Sequence, residues 1–434
     1  MNVLMMTNTY LPQVCGVARS VVTFSTALRE RGHRVLIVAP SNDGAPDDEP
    51  DVVRVPAIQH LMSNDIPLRL PIPGYLSNTL QEFQPQIVHV HHPFLLGNTG
   101  LRVAASWNLP VVFTYHTMYE HYTHYIPGDS CTLERFTIRL ATEFANLCDH
   151  VIAPSESVAS VLHERNVRAP VSVVPTGIDT AAFGSGSGPR SRLRHGIPGD
   201  AFVVGHVGRL VLEKNLEFLA QAVCRFLQQQ RSARFFVVGD GPMRSEIQSL
   251  CERAGVGDRL HLSDGELEGQ DLNDAYAAMN VMAFASQSDT QGMVLAEGMA
   301  AGLPVVAVDA PGARDIVRDR ANGRLLAAEH VGDFAAALEW VRTTGARDER
   351  VRRTIQATAE NFSMERSVER LEGIYRAVRR ASTRHPPQSG KLQTALQRIG
   401  EEYQIWSRMG HALYDAAFGS RPDIHHPDMR HRAG

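Results

Sequence analysis

The strongest constraint on this 434-residue chain is an alternation of short apolar runs with longer amphipathic stretches, and it occurs twice. Residues 3–6, 35–38, 87–90, 111–114, 151–153 and 171–174 are runs rich in valine and isoleucine, while 18–31 and 132–147 read as helices. Continuous apolar runs separated by helices predict a parallel sheet covered on both faces. Residues 182–189, AFGSGSGP, have the composition of a linker. The alternation then restarts, with strands expected at 202–205, 234–238, 260–262, 281–284 and 305–308, and helices at 216–229, 243–254, 271–279 and 293–301. The fold class is therefore α/β, with two doubly wound, Rossmann-like domains facing across a cleft. Their expected bounds are 1–178 and 179–362, followed by a helix over 363–384 and an extra helical tail over 385–434. The tail repeats apolar residues every three to four positions.

Composition excludes several classes. Basic and acidic residues number 43 and 47, giving a net charge of −4, so there is no global footprint for nucleic acid. The five cysteines are scattered and never in CxxC spacing, which argues against a zinc ribbon and suggests a reducing cytoplasm. The start, MNVLMMTNTYLP, lacks a basic leader region and reads as a first strand. No apolar run reaches the roughly 18 residues of a membrane span. Nearly every basic residue is arginine; the lysines are Lys214 and Lys391. A lysine kept in such a chain marks a place suited to a compact ammonium.

In open α/β sheets ligands bind beyond the carboxyl ends of the strands, so the loops there are the candidates. SDTQGMVLAEGMAAGLPVV, from Ser288, joins an apolar run to a helix. Gly292 permits close backbone approach, and the N–H groups of Gly292, Met293 and Val294 offer an anion site, with Gln291 alongside. Glu297, one turn in, suits the paired hydroxyls of a ribose, and Asp289 suits sugar hydroxyls. The alternative is a helix start whose acids merely favour its dipole. In VGHVGRLVLEKN, Gly208 ends a strand, and Arg209 and Lys214 can neutralise a pyrophosphate; the alternative is an exposed basic loop paired through Glu213. Gly16 and Val17 place backbone N–H groups at the start of the first helix as candidate donor contacts, and their loop lacks a GxGxxG pattern, which argues against a dinucleotide dehydrogenase. TYHTMYEHYTHYIP aims His116 at the cleft, and Tyr115, Tyr119, Tyr122 and Tyr125 form an aromatic wall for an acceptor or else pack between the domains. His121, His124 and Glu120 have no matching metal-ligand set elsewhere. Gly177, just ahead of the linker, reads as a hinge near phosphate.

Together these segments resemble the glycosyltransferase family 4 enzymes over residues 1–380. The matching motifs are Gly16-Val17, the Gly208-Arg209…Lys214 loop, and an acid–x7–acid pair followed by Gly298-Met299-Ala300-Ala301-Gly302-Leu303-Pro304-Val305-Val306. Asp289 stands where the family has glutamate, one methylene shorter. TYHTMYE and DTQG are further similar to the bacterial branch that glucosylates diacylglycerol.

The resemblance implies a GT-B fold, with an acceptor-binding first domain, a nucleotide-sugar-binding second domain and a crossover helix returning to the first. It implies a retaining hexosyltransferase using UDP-glucose and a lipid or glycan acceptor, cytoplasmic and peripheral on the inner face of the membrane. His116, Arg209, Lys214 and Asp289 would be its catalytic residues. With no DxD signature, no obligatory metal is expected, and Mg2+ is not called for. Residues 61–75 and 158–168 are the candidate membrane patches. GDP-mannose as donor, with a soluble or lipid-linked glycan as acceptor, and a non-catalytic nucleotide-sugar-binding subunit are the alternatives.

Overall fold

Each apolar series becomes one parallel sheet. The structure is a computed structural model that describes residues 1–13, 15–41, 44–46, 49–56, 76–119, 130–344 and 348–381. The first sheet contains β1 (Asn2–Met6), β2 (Arg34–Pro40), β3 (Val52–Val55), β4 (Ile87–Val90), β5 (Val111–Thr114), β6 (His150–Ala153) and β7 (Val171–Val173). The second contains β8 (Phe202–Val207), β9 (Ala233–Val238), β10 (Leu260–Leu262), β11 (Val281–Phe284), β12 (Val305–Val308) and β13 (Gly323–Leu326). Their orders are β3-β2-β1-β4-β5-β6-β7 and β10-β9-β8-β11-β12-β13. The two halves share the doubly wound order, in which the strand order reverses beside the first strand. That reversal opens a crevice between the ends of β1 and β4 in one sheet and of β8 and β11 in the other.

Alternation along each strand feeds two layers of core. Leu4 and Met6 of β1 pack with Phe113, Phe144 and Leu162 on one face. Val3 and Met5 pack on the other with Phe24 and Leu28 of the helix Gly16–Glu30. That second layer is completed by Val368, Leu371 and Tyr375 of the helix Met364–Ala381, so the last described helix is part of the first domain's core. Its Glu372 is buried among His33, Arg31 and Arg376. Burial alone would raise this carboxyl, but the hydrogen bonds from His33 and Arg31 outweigh it and hold Glu372 below the usual range.

Two expectations are corrected here. Residues 182–189 are not a loose linker: the helices Thr180–Gly184 and Gly188–Arg194 occupy the segment. Its glycines serve close packing, since a Cβ on Gly186 or Gly188 would stand 2.1 Å from Asn273 O or 2.4 Å from Ala277 O. The chain instead crosses between domains at two adjacent points, where Ile178 N donates to Phe362 O and Met364 N to Ile178 O, both at 2.9 Å. Gly177 is needed there because a Cβ would stand 2.5 Å from Met364 Cα, so it packs closely at the crossing. The apolar side of 158–168 is likewise no membrane patch, because Val158, Leu162 and Val167 are buried in the first core. The patch at 61–75 and the tail at 385–434 lie outside the described residues. Among the described residues no helix is long and apolar enough to cross a membrane.

Gly188→Ala should overpack this contact and cost about 1–3 kcal/mol, lowering the thermal unfolding midpoint by several degrees. Gly199→Ala, whose Cβ would meet nothing within 4 Å, should leave the midpoint unchanged.

Candidate active site

The loop after β8 is built on glycines. Gly208 has φ 146°, and the neighbouring turn after β9 uses Gly239 and Gly241 at φ 140° and 146°. A Cβ on Gly239 would stand 2.0 Å from Gly208 O, and one on Gly241 2.5 Å from Leu210 O. Only glycine allows the two loops to lie against each other, where Leu210 N donates to Asp240 O at 2.7 Å. This turns Arg209 outward, exposed and without an ion pair among the described residues. Lys214 follows at the end of a 3-10 turn and is partly buried.

Lys214 meets the loop after β11. Its Nζ donates to both carboxylate oxygens of Asp289, at 2.8 and 2.7 Å. Burial alone would raise the Asp289 carboxyl, but the Lys214 charge and hydrogen bond, with Ser286, outweigh it and hold it below the usual carboxylate range. Three residues on, Gly292 adopts φ 69° at the start of the helix Met293–Ala300, whose first turn has no side-chain cap. A Cβ on Gly292 would stand 2.5 Å from Gly312 O, so the tight turn also requires glycine. Lys214, Asp289 and the uncapped N–H groups of Met293 and Val294 thus share one corner at the second sheet's switch point.

The first domain closes over that corner. Thr290 Oγ1 donates to His116 O at 2.8 Å, and Ser155 Oγ donates to Thr290 O at 2.6 Å. Gln291 is buried and clamps Thr176 twice: its Oε1 accepts from Thr176 N and its Nε2 donates to Thr176 O, both at 2.8 Å. Its side chain is therefore fully engaged between domains and not free to bind a donor, a correction to the sequence reading. Gly16 and Val17 lie at the exposed start of their helix, where Cys15 Sγ accepts from Ala18 N at 3.5 Å.

Glu297 is buried and already has partners. Tyr276 Oη donates to its Oε2 at 2.6 Å, and Arg19 of the first domain reaches its Oε1 at 3.2 Å. Burial, and then the Glu297 charge, push the Tyr276 phenol well above its usual range, so it remains a donor. Neither Arg19 nor Tyr276 belongs to a loop motif, so sequence reading missed both. It also missed His206, a buried imidazole with Nδ1 3.2 Å from Ala283 O, lowered to about 4 by burial.

Tyr115 and Tyr119 are not an acceptor wall. Tyr115 is fully buried, accepts from Arg165 at 3.2 Å and packs edge-on against Phe113 and Tyr119; Tyr119 in turn packs against Phe94. Both belong to the first core, the packing alternative raised for them. Tyr122 and Tyr125, with Glu120, His121 and His124, lie outside the described residues.

The Lys214–Asp289 pair gives a pH prediction. A carboxyl held below its unfolded value contributes stability that is complete above that value and is lost as pH falls through the folded one. Unfolding free energy should therefore drop on acidification below about pH 4, and Asp289→Asn should flatten that limb in denaturant titrations at stepped pH.

The family profile described as Glycosyltransferase Family 4 matches residues 14–182, and that described as Glycosyl transferases group 1 matches 201–343. An alpha-monoglucosyldiacylglycerol synthase of Streptococcus pneumoniae is 30% identical over 374 residues, covering 83% of each chain. A GDP-mannose-dependent alpha-mannosyltransferase of Mycobacterium tuberculosis is 32% identical over 336 residues, covering 75% of this chain and 82% of that one. Among solved structures, sucrose-phosphate synthase of Thermosynechococcus elongatus superposes with a TM-score of 0.71 at 19% identity, over 88% of this chain and all of that one. Anabaena HepE with UDP and glucose gives 0.70 at 20% identity, over 87% of this chain and all of that one. Motifs, topology and matched relatives lead to one conclusion: the chain belongs to the family 4 glycosyltransferases and has the GT-B fold.

Proposed function

We propose that the protein transfers a hexose, with retention, from a nucleotide-diphosphate sugar to a lipid acceptor such as diacylglycerol, with UDP-glucose as the donor. One observation supports this above others: Lys214 is seated at Asp289, three residues ahead of an uncapped helix tip, with Arg209 on the same glycine-built loop. Cations and backbone N–H groups fixed in advance suit charge developing on a leaving diphosphate, usually the largest catalytic contribution. Glu297, with its two displaceable donors, takes the ribose hydroxyls. Asp289 and His116 orient the sugar. The similarity to glucosyldiacylglycerol synthases along most of the chain favours glucose and a lipid.

The setting of the carboxylates supports retention. Asp289 is bound by Lys214, and Glu297 by Tyr276 and Arg19, so neither is available as a nucleophile or a base for the acceptor. The route consistent with this is same-face transfer. The acceptor oxygen bonds to the anomeric carbon as the bond to the diphosphate breaks, and the departing phosphate oxygen takes the acceptor's proton. The clamp of Thr290 and Gln291 on the first domain would keep water from the activated sugar. A lipid acceptor implies peripheral contact with the cytoplasmic face of the membrane.

The mannosyltransferase relatives favour a second reading, with GDP-mannose as donor. Radiolabelled UDP-glucose and GDP-mannose, each offered with diacylglycerol vesicles or soluble glycans, separate the two. The expected product is α-glucosyl lipid from UDP-glucose, formed equally well in chelator. Arg209→Ala and Lys214→Ala should each lower kcat/KM by about 10²–10³. Transfer from GDP-mannose alone would select the second reading. Binding of a nucleotide sugar with neither transfer nor hydrolysis would mean a non-catalytic subunit.

A further inference from the structure

Beneath His116 lies a stack of buried imidazoles that the transfer reading does not use. His89 and His91 occupy alternate positions at the end of β4 and therefore share one face of the sheet. Their ring centroids are 4.1 Å apart. His89 is fixed at both nitrogens, with Nδ1 2.7 Å from the hydroxyl of Tyr375 and Nε2 2.7 Å from Thr114 Oγ1. His91 is held by its backbone N–H on Met6 O at 2.9 Å, and its Nδ1 lies 2.9 Å from His116 Nε2. The two rings meet edge to edge, with centroids 5.2 Å apart and planes 20° from parallel. His91 Nε2 is buried with no hydrogen-bond partner among the described residues. His116 Nδ1 makes no hydrogen bond among the described residues, so it is the ring atom left for a ligand.

One proton lies between His91 Nδ1 and His116 Nε2, and its position decides what His116 presents. If His116 Nε2–H donates, neutral His91 must carry its own proton on Nε2, leaving a buried N–H with no acceptor. If His91 Nδ1–H donates, His91 Nε2 is a bare acceptor and His116 carries its proton on Nδ1. Orphaned buried N–H groups are rarer than under-satisfied acceptors, so the second arrangement wins. Both rings are neutral: burial, then the adjoining histidines, push His91 well below its usual value, and burial takes His116 to about 3.

We propose that His91 is a positioning residue for sugar transfer, holding His116 in the tautomer protonated on Nδ1 so that this nitrogen donates a hydrogen bond to a substrate oxygen. His116 then acts as a fixed neutral donor, neither a cation nor a proton acceptor. Its kinetic consequence rests on the transfer reading; the tautomer itself does not.

Ring-¹⁵N histidine NMR on the full chain, assigned by difference against His116→Gln, tests the tautomer without turnover. The expected spectrum has a protonated Nδ1 and a bare Nε2 on His116. His91→Phe should mix the two tautomers and lower kcat about tenfold, the worth of one hydrogen bond, with the thermal midpoint recorded alongside. His91→Asn, whose amide N–H reaches about as far as Nδ1, should restore the Nδ1–H form and most of the rate. A wild-type His116 protonated on Nε2 would overturn the proposal. So would equal impairment of both His91 variants, or impairment of neither. A chain that transfers no sugar but shows the expected spectrum would overturn the transfer reading alone.

Discussion

The double hydrogen bond between the Gln291 amide and the backbone of Thr176 is the contact on which the site's geometry depends. Gln291 is adjacent to Gly292, whose left-handed conformation starts the helix Met293–Ala300. The same four-residue loop bears Asp289 at its other end. Fixing Gln291 against the first domain therefore fixes a carboxylate, a helix start and the approach of His116 together. Thr290 and Ser155 reinforce the same seam. A buried amide satisfied at both ends tolerates little displacement, because any shift leaves polar groups unpaired in a dry interface.

The seam works because two sheets that share the doubly wound order, the first with one strand more, present their switch points to each other. The glycines at 208, 239 and 241 let the loops after β8 and β9 nest, with Arg209 exposed and Lys214 partly buried. The helix Met364–Ala381 closes the arrangement by returning to the first core, where Tyr375 reaches His89. That helix thus touches both the interdomain crossing at Ile178 and the imidazole stack under His116.

The sequence made the architecture readable where local pattern and tertiary burial agree. Apolar runs such as 87–90 and 111–114 coincide with strands because both faces of a parallel sheet are covered. β3 and β13 escaped notice because they are short edge strands whose apolar runs are interrupted or shortened by an arginine, Arg54 or Arg324. Residues 182–189 misled for a different reason: glycine can provide flexibility or close approach, and only the neighbouring helix Gly269–Ala278 shows which applies. Loop motifs pointed to Lys214, Asp289 and Glu297 individually. Their partners could not be read, since Arg19 and Glu297 are 278 positions apart and meet only through the fold. Tyr115 misled because a residue just past a strand can turn inward, where Arg165 satisfies its hydroxyl.

The bond from Arg19 to Glu297 ties the first turn of the first helix to a buried carboxylate of the second domain. Under the proposed role of Glu297, a nucleoside taking that carboxylate would have to displace the guanidinium, so part of its affinity would go into the eviction. The same bond would re-form as the spent nucleotide left, and one side chain would then favour both closure of the cleft and release of product.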